Sequence, residues 1–150
     1  MIMTKIDKSY GRILGVAYTY VFRQLAMHMK EKNLPITPDQ FRVLTHLWQN
    51  DGCSQQELAA GTLRDRANVT RIIDILEREG IVERADHEND RRIFKIQLTK
   101  KGKSIEEEAM ACGQAAINDA LKGISKSDLE VCMKVLNKTI ENLANKNCKK

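Results

Sequence analysis

The chain has 150 residues, 42% hydrophobic and 30% charged, enough for one compact domain burying roughly two-thirds of its unfolded surface, or for helices that extend into a partner. Its net charge of +5 fits a polyanionic partner without requiring one, and no window approaches about 18 uncharged apolar residues, so no membrane span is expected. With no signal-peptide core at the N-terminus and no clustering among Cys53, Cys112, Cys132, Cys148, His28, His46 and His87, the expectation is a cytoplasmic protein without metal, cofactor or disulfide framework.

The first periodic segment spans 8–32, where Tyr10, Ile13, Leu14, Ala17, Val21, Leu25 and Met29 recur on one helix face. Leu34-Pro35 breaks it. Thr37 as N-cap and Pro38 at the first helical position open a second helix to about Gln49, with Phe41, Leu44, Leu47 and Trp48 inward. The cysteines read as buried or incidental thiols; for the competing redox switch Cys53 is the favoured position, because it precedes the next helix start, whose dipole would lower a thiol pKa. Ser54-Gln55-Gln56-Glu57 fits a capping box and opens a short helix to about Ala60.

A turn containing Gly61 is expected next, then a helix from Asp65 or Arg66 to Gly80 with Val69, Ile72, Ile73 and Leu76 on one stripe. Its opposite face carries Ala67, Thr70, Arg71, Asp74 and Arg78, and the pair of helices is a helix-turn-helix candidate. Strands at 81–84 and 93–98 flank eight mostly polar residues, 85–92, expected to project as a hairpin tip. Two helices follow, 100–123 with Ile105, Ala109, Cys112, Ala116 and Ala120 inward, and 127–146 with Leu129, Cys132, Met133, Leu136, Ile140 and Leu143 inward. Ser127 and Glu130 would cap the latter. The fold class is mainly α (α+β). Its long terminal helices carry more apolar surface than the middle can cover, so a second subunit is the natural cover.

Arginine is the sharpest compositional signal. Residues 54–98 hold seven of the ten arginines but one of the fifteen lysines, although that segment has a net charge of −1. Bidentate recognition of phosphates or guanine edges favours the planar guanidinium, so the bias points to nucleic acid.

Thr70-Arg71, Leu76-Glu77, Gly80-Ile81-Val82 with Arg84, Asp90-x-Arg92 and Ile96-x-Leu98-Thr99-x-x-Gly102 form an ordered set. It resembles the winged helix-turn-helix of the MarR family of bacterial transcriptional regulators, and the resemblance extends over nearly the whole chain. It implies a DNA-binding domain at 35–99, with 1–34 and 100–150 forming a helical dimerisation region. It also implies a homodimer on a pseudo-palindromic DNA operator, usually a repressor, whose affinity a small anionic or aromatic ligand or oxidation alters. By the same resemblance the 66–79 helix enters the major groove and the 85–92 wing the minor groove.

The candidate DNA contacts are Ser54, Gln55, Arg64, Arg66, Asn68, Thr70, Arg71, Arg91 and Arg92. Capping alone also explains Ser54, and Arg71 could instead pair with Asp74 three residues on. The family pattern implies that Asp90 and Arg92 brace the wing through an ion pair, with Arg91 or Arg92 entering the groove. It also implies an effector crevice recruiting Tyr18, Phe22, His28, Arg42, His46 or Trp48, for which core packing is the competing reading. Peroxide-sensing relatives carry a cysteine in the first helix and zinc-sensing ones clustered histidines; neither occurs here. No GxSxG, P-loop, HExxH or dinucleotide fingerprint is present, so an enzyme is not expected. The alternatives are a redox-sensing regulator and a winged-helix module that binds protein or bends DNA architecturally.

Overall fold

The computed structural model describes residues 9–147, apart from the side chains of Arg91 and of residues 145–147. Lys8, the expected start of the first helix, and Cys148 lie outside the described residues. Two compact units divide after Ile117.

The first unit opens with α1 (Tyr10–Glu31), capped by Ser9, whose hydroxyl accepts from the Arg12 N–H. It ends where Asn33 turns left-handed at φ 53°, a conformation asparagine tolerates. Next, α2 (Pro38–Gln49) starts with a full capping box between Thr37 and Gln40. The two-residue strand β1 (Cys53–Ser54) leads into α3 (Gln55–Thr62), capped by Ser54 and Glu57 as the sequence reading expects.

Gly61 does not make the turn. It sits inside α3, where a β-carbon would lie 2.1 Å from His46 Cε1, so its missing side chain lets α2 approach. The reversal falls instead on Leu63, left-handed at φ 54°. Asp65 then caps α4 (Arg66–Arg78), accepting from the Asn68 N–H at 2.8 Å.

The wing is β2 (Val82–His87) and β3 (Asp90–Leu98) in a three-stranded antiparallel sheet of order β1-β3-β2. The expected eight-residue tip is therefore too long. Pairing runs from Val82↔Leu98 to Asp86↔Phe94 and, after a register shift, to His87↔Asp90, because polar residues serve an exposed two-stranded ribbon as well as they serve a loop. The expected single helix from Lys100 is interrupted at Ile105, giving α5 (Lys100–Ser104) and α6 (Glu106–Leu121). Thr99 caps α5 and bonds the carbonyls of Gly80 and Ile81, pinning the helix to the exit of α4.

The core of this unit joins Val43, Leu44 and Leu47 of α2, Leu58 of α3 and the α4 stripe Val69, Ile72, Ile73 and Leu76 to Ile81, Val82, Ile96 and Leu98. Each fully buried aliphatic side chain contributes roughly 1.5–3 kcal/mol. Phe41 and Trp48, expected inward, are half-buried at its margin, where the Trp48 indole donates to the Gly102 carbonyl. Leu25 and Met29 anchor the C-terminal half of α1, and Ala109, Cys112 and Ala116 the inner face of α6. By contrast, Tyr10, Ile13, Leu14, Val16, Tyr18 and Tyr20 of α1 are exposed.

The second unit holds α7 (Lys126–Asn147). Its cap is Ser125, which accepts from the Asp128 N–H at 3.1 Å and displaces the expected Ser127–Glu130 box. Cys132, Met133, Ile140 and Leu143 of the expected inward face are exposed, with Leu129 and Leu136 half-buried. Ala120, also expected inward, is exposed.

Candidate nucleic-acid interface

The amphipathic pattern of α4 buries its aliphatic stripe and leaves Arg66, Ala67, Arg71, Asp74 and Arg78 outward. The packing then sorts the arginines into two kinds. Arg64 is one of the structural ones: its side chain is 14% exposed and ion-paired to Asp39 at the start of α2, with Nε buried and without a hydrogen-bond partner. Arg84 is the other, donating to Asp74 at 2.6 Å, to Glu77, and at the limit of hydrogen-bond distance to Gln55. Its backbone N–H also donates to Glu77. Burial alone would lower the Arg84 pKa, but bonds and charge from Asp74 and Glu77 outweigh it and raise the pKa above its usual value.

Arg66, Arg71 and Arg92 are of the second kind. All three are exposed, and none has an ion-pair partner among the described residues. The expected alternative for Arg71, pairing with Asp74, is not made, because Asp74 is held by Arg84. Arg66 and Arg92 both line a cleft of about 290 Å³ between the N-termini of α3 and α4 and the wing, together with Ser54, Gln55, Gln56, Thr70, Ile93 and Phe94. The side chain of Arg91 lies outside the described residues.

The polar candidates are largely occupied. Gln55 donates to the Thr70 hydroxyl at 2.9 Å, and that hydroxyl donates to the Arg66 carbonyl, tying α3 to the first turns of α4. Ser54 is engaged in its cap, and Glu57, held below the usual carboxylate range by the Ser54 N–H and hydroxyl, completes it. Asn68 turns inward, its Oδ1 buried without a partner. Asp90 braces Arg92 through the main chain, its carboxylate accepting the Arg92 N–H at 2.9 Å, where the resemblance implies a side-chain ion pair. The short reach between residues two apart favours this Asx turn.

The Arg84 network is not expected from the sequence, although Glu77 and Arg84 both belong to the ordered winged-helix motif set. Opposite charges on either side of the helix-to-strand turn were the available signal. Cys53 lacks the lowered pKa that the redox alternative needs: partial burial, then the charge of Glu57, push its thiol up to about 11, away from a reactive thiolate.

The effector candidates split. Tyr18 and Phe22 stack with ring centroids 4.8 Å apart and wall an apolar cleft of about 340 Å³ between α1 and the start of α2. Arg42 donates to the Tyr18 hydroxyl at 2.8 Å and to the Thr62 carbonyl at 3.3 Å. His46 lies in a separate cleft of about 290 Å³ with Arg42 and Gly61. His28 pairs with Glu31, and Trp48 with Gly102, away from both. No group of three or more His, Cys, Asp or Glu among the described residues could hold a metal ion, and no helix among them is long and apolar enough to cross a membrane.

A family model described as the MarR family matches residues 36–94. An uncharacterized HTH-type transcriptional regulator of Bacillus subtilis, YybA, is 28% identical over 112 residues, covering 75% of each chain. The transcriptional repressor MprA of Escherichia coli is 28% identical over 132 residues, 80% of this chain and 75% of that one. Among solved structures, a cysteine-to-serine variant of Escherichia coli MarR complexed with operator DNA superposes with a TM-score of 0.84 at 25% identity, over 93% of this chain and 99% of the other.

Proposed function

The chain belongs to the MarR family of winged helix-turn-helix transcriptional regulators, and from that premise we propose that it represses transcription as a homodimer on a pseudo-palindromic operator and is released by a small ligand. The observation that carries the DNA reading is the sorting of the arginines. Arg66, Arg71 and Arg92 stand exposed around the first turns of α4 and the wing, without the ion pairs that occupy Arg64 and Arg84. Two such units on a two-fold axis present recognition helices to successive major grooves, while a wing arginine suits the negative potential of a narrow minor groove. In this reading Arg71 reads a base, Arg66 and Arg92 meet phosphate or the minor groove, and Ser54 and Thr70 line the approach. Arg64, Gln55 and Asn68 hold the scaffold.

The exposed apolar side chains of α1 and of α7 support a second subunit, since side chains such as Tyr20 at 65% and Val131 at 63% exposure exceed what scattered surface residues require. Ligand control is supported by the cleft at Tyr18 and Phe22. Beside it stands the half-buried Arg42, whose guanidinium bonds only neutral oxygens among the described residues, a setting that favours an aromatic anion. The redox alternative loses support from the raised Cys53 pKa.

Footprinting on the chain's own upstream region tests the DNA reading. A discrete inverted repeat with half-sites about one helical turn apart, protected with a steep salt dependence, is expected. Uniform protection without sequence preference would replace the regulator with an architectural binder, and a monomer in light scattering would remove the two-fold model.

A further inference from the structure

We infer that two walls of the effector cleft, Asp39 and Tyr18, are positioning residues for the recognition helix, acting through Arg64 and Arg42; the inference rests on the DNA reading above and adds its regulation. Both residues line the cleft between α1 and α2. Asp39 holds Arg64, and Tyr18 accepts from Arg42 at 2.8 Å. Both arginines end on the same turn: Arg42 donates its second Nη to the Thr62 carbonyl, and Arg64 is itself a turn residue. Between these anchors lies Leu63, left-handed at φ 54° and 90% exposed, a strained conformation that burial of its own side chain does not offset. The turn closes its own backbone bonds, Leu63 N–H to the Ala60 carbonyl and Arg64 N–H to the Ala59 carbonyl, and the two arginine side chains brace it from outside. Immediately beyond it Asp65 caps α4, so the register of the turn sets where Arg66 and Arg71 begin.

The two latches differ in strength. The Asp39–Arg64 pair is charged and largely buried on the arginine side, whereas Arg42 holds a neutral phenol and a neutral carbonyl. A carboxylate offers the Arg42 guanidinium a charged, bidentate acceptor where the phenol offers one neutral oxygen, so a carboxylate entering the cleft takes Arg42 from Tyr18. The negative charge it brings beside Asp39 loosens the second latch in turn. Cleft occupancy and operator affinity thereby oppose each other.

The test uses the full chain, with fluorescence anisotropy on the footprinted operator and on a random duplex well below the melting temperature. Asp39→Asn should lower operator affinity about tenfold, and Tyr18→Phe about threefold, leaving random-DNA affinity within twofold and the thermal midpoint of Tyr18→Phe unchanged. Benzoate should release the operator from the wild type and do less to Tyr18→Phe, with benzyl alcohol as the uncharged control. Wild-type operator affinity in both variants would overturn the latch. So would a rise on both duplexes for Asp39→Asn, which would show Arg64 to be a phosphate contact that Asp39 neutralises. If Asp39→Asn does not fold, Tyr18→Phe decides alone, since Tyr18 is 49% exposed and carries little of the core. Weakened variants together with a wild type indifferent to benzoate would keep the latch and retire the aromatic-anion reading of the cleft.

Discussion

Gly102→Ala puts a single methyl against a wall that cannot turn away. A β-carbon at Gly102 would lie 2.2 Å from the Ile81 carbonyl oxygen and 3.2 Å from both the Ile81 carbonyl carbon and Leu98 Cδ2. Relief requires α5 to move by about 1 Å from the exit of α4, because the first obstacle is backbone. Overpacking of this kind costs about 1–3 kcal/mol, and the fixed obstacle argues for the upper end. The same displacement strains the Trp48 to Gly102 hydrogen bond of 3.0 Å and the Thr99 bonds to Gly80 and Ile81, about 1 kcal/mol net for one bond lost. Alanine returns about 1 kcal/mol of helix propensity. The balance is a loss of about 3 kcal/mol, or roughly 6–12 °C in melting temperature for a chain of this size. Trp48 is the chain's single tryptophan and bonds the mutated residue itself, so its emission reports the site directly. Urea unfolding at fixed protein concentration should show a lowered midpoint with a red-shifted native emission. A midpoint and native spectrum indistinguishable from wild type would refute the close approach as the reason for glycine.

Leu63→Gly should stabilise by about 0.5 kcal/mol, the relief of a left-handed leucine exceeding glycine's extra unfolded entropy; a lowered denaturation midpoint would count against it. Cys53 should react with N-ethylmaleimide at pH 8 at least tenfold more slowly than an unstructured peptide thiol, because its pKa stands near 11. By the same shift the fold retains its proton longer than the unfolded chain does, so the Cys53 contribution is complete below pH 9.0 and is lost between pH 9.0 and about 11; Cys53→Ala should flatten that part of the stability profile. Arg71→Ala should cost about 1–3 kcal/mol on the operator and relax specificity, whereas Arg66→Ala should weaken all duplexes and reduce the salt slope by about 1; the reverse assignment would exchange their roles.

What the sequence made legible follows the range of the interactions involved. The N-cap at Thr37 and the capping box at Ser54 are local chemistry within four residues, and both stand where the pattern puts them. The α4 stripe likewise follows from a 3.6-residue period that burial obeys at every position. Gly61 misled because glycine has two uses, and the close approach of His46, fifteen residues earlier, leaves no trace in a local window. The strand β1 is too short to show alternation and exists only because Ile96 and Lys95 pair with it. The division of the arginines was out of reach for the same reason: Asp39 lies 25 residues before Arg64, and Arg84 takes its partners from the preceding helix. Composition showed that arginine was concentrated; only partners show which guanidinium is spent on the fold.

The register shift in the wing separates mechanics at its tip from mechanics at its base. Between Asp86↔Phe94 and His87↔Asp90 three residues of β3, 91–93, fall outside the cross-strand sequence of pairs, and the Arg92 N–H is satisfied by Asp90 of its own strand. Arg92 can therefore swing with the tip while the ladder from Val82 to Asp86 keeps every pair. A rigid ribbon would fit one groove width and clash with the next. In the proposed operator complex this one would act as a compliant finger on a stiff knuckle, so differences in minor-groove width would be met by bending at the bulge and would leave the seating of the recognition helix untouched.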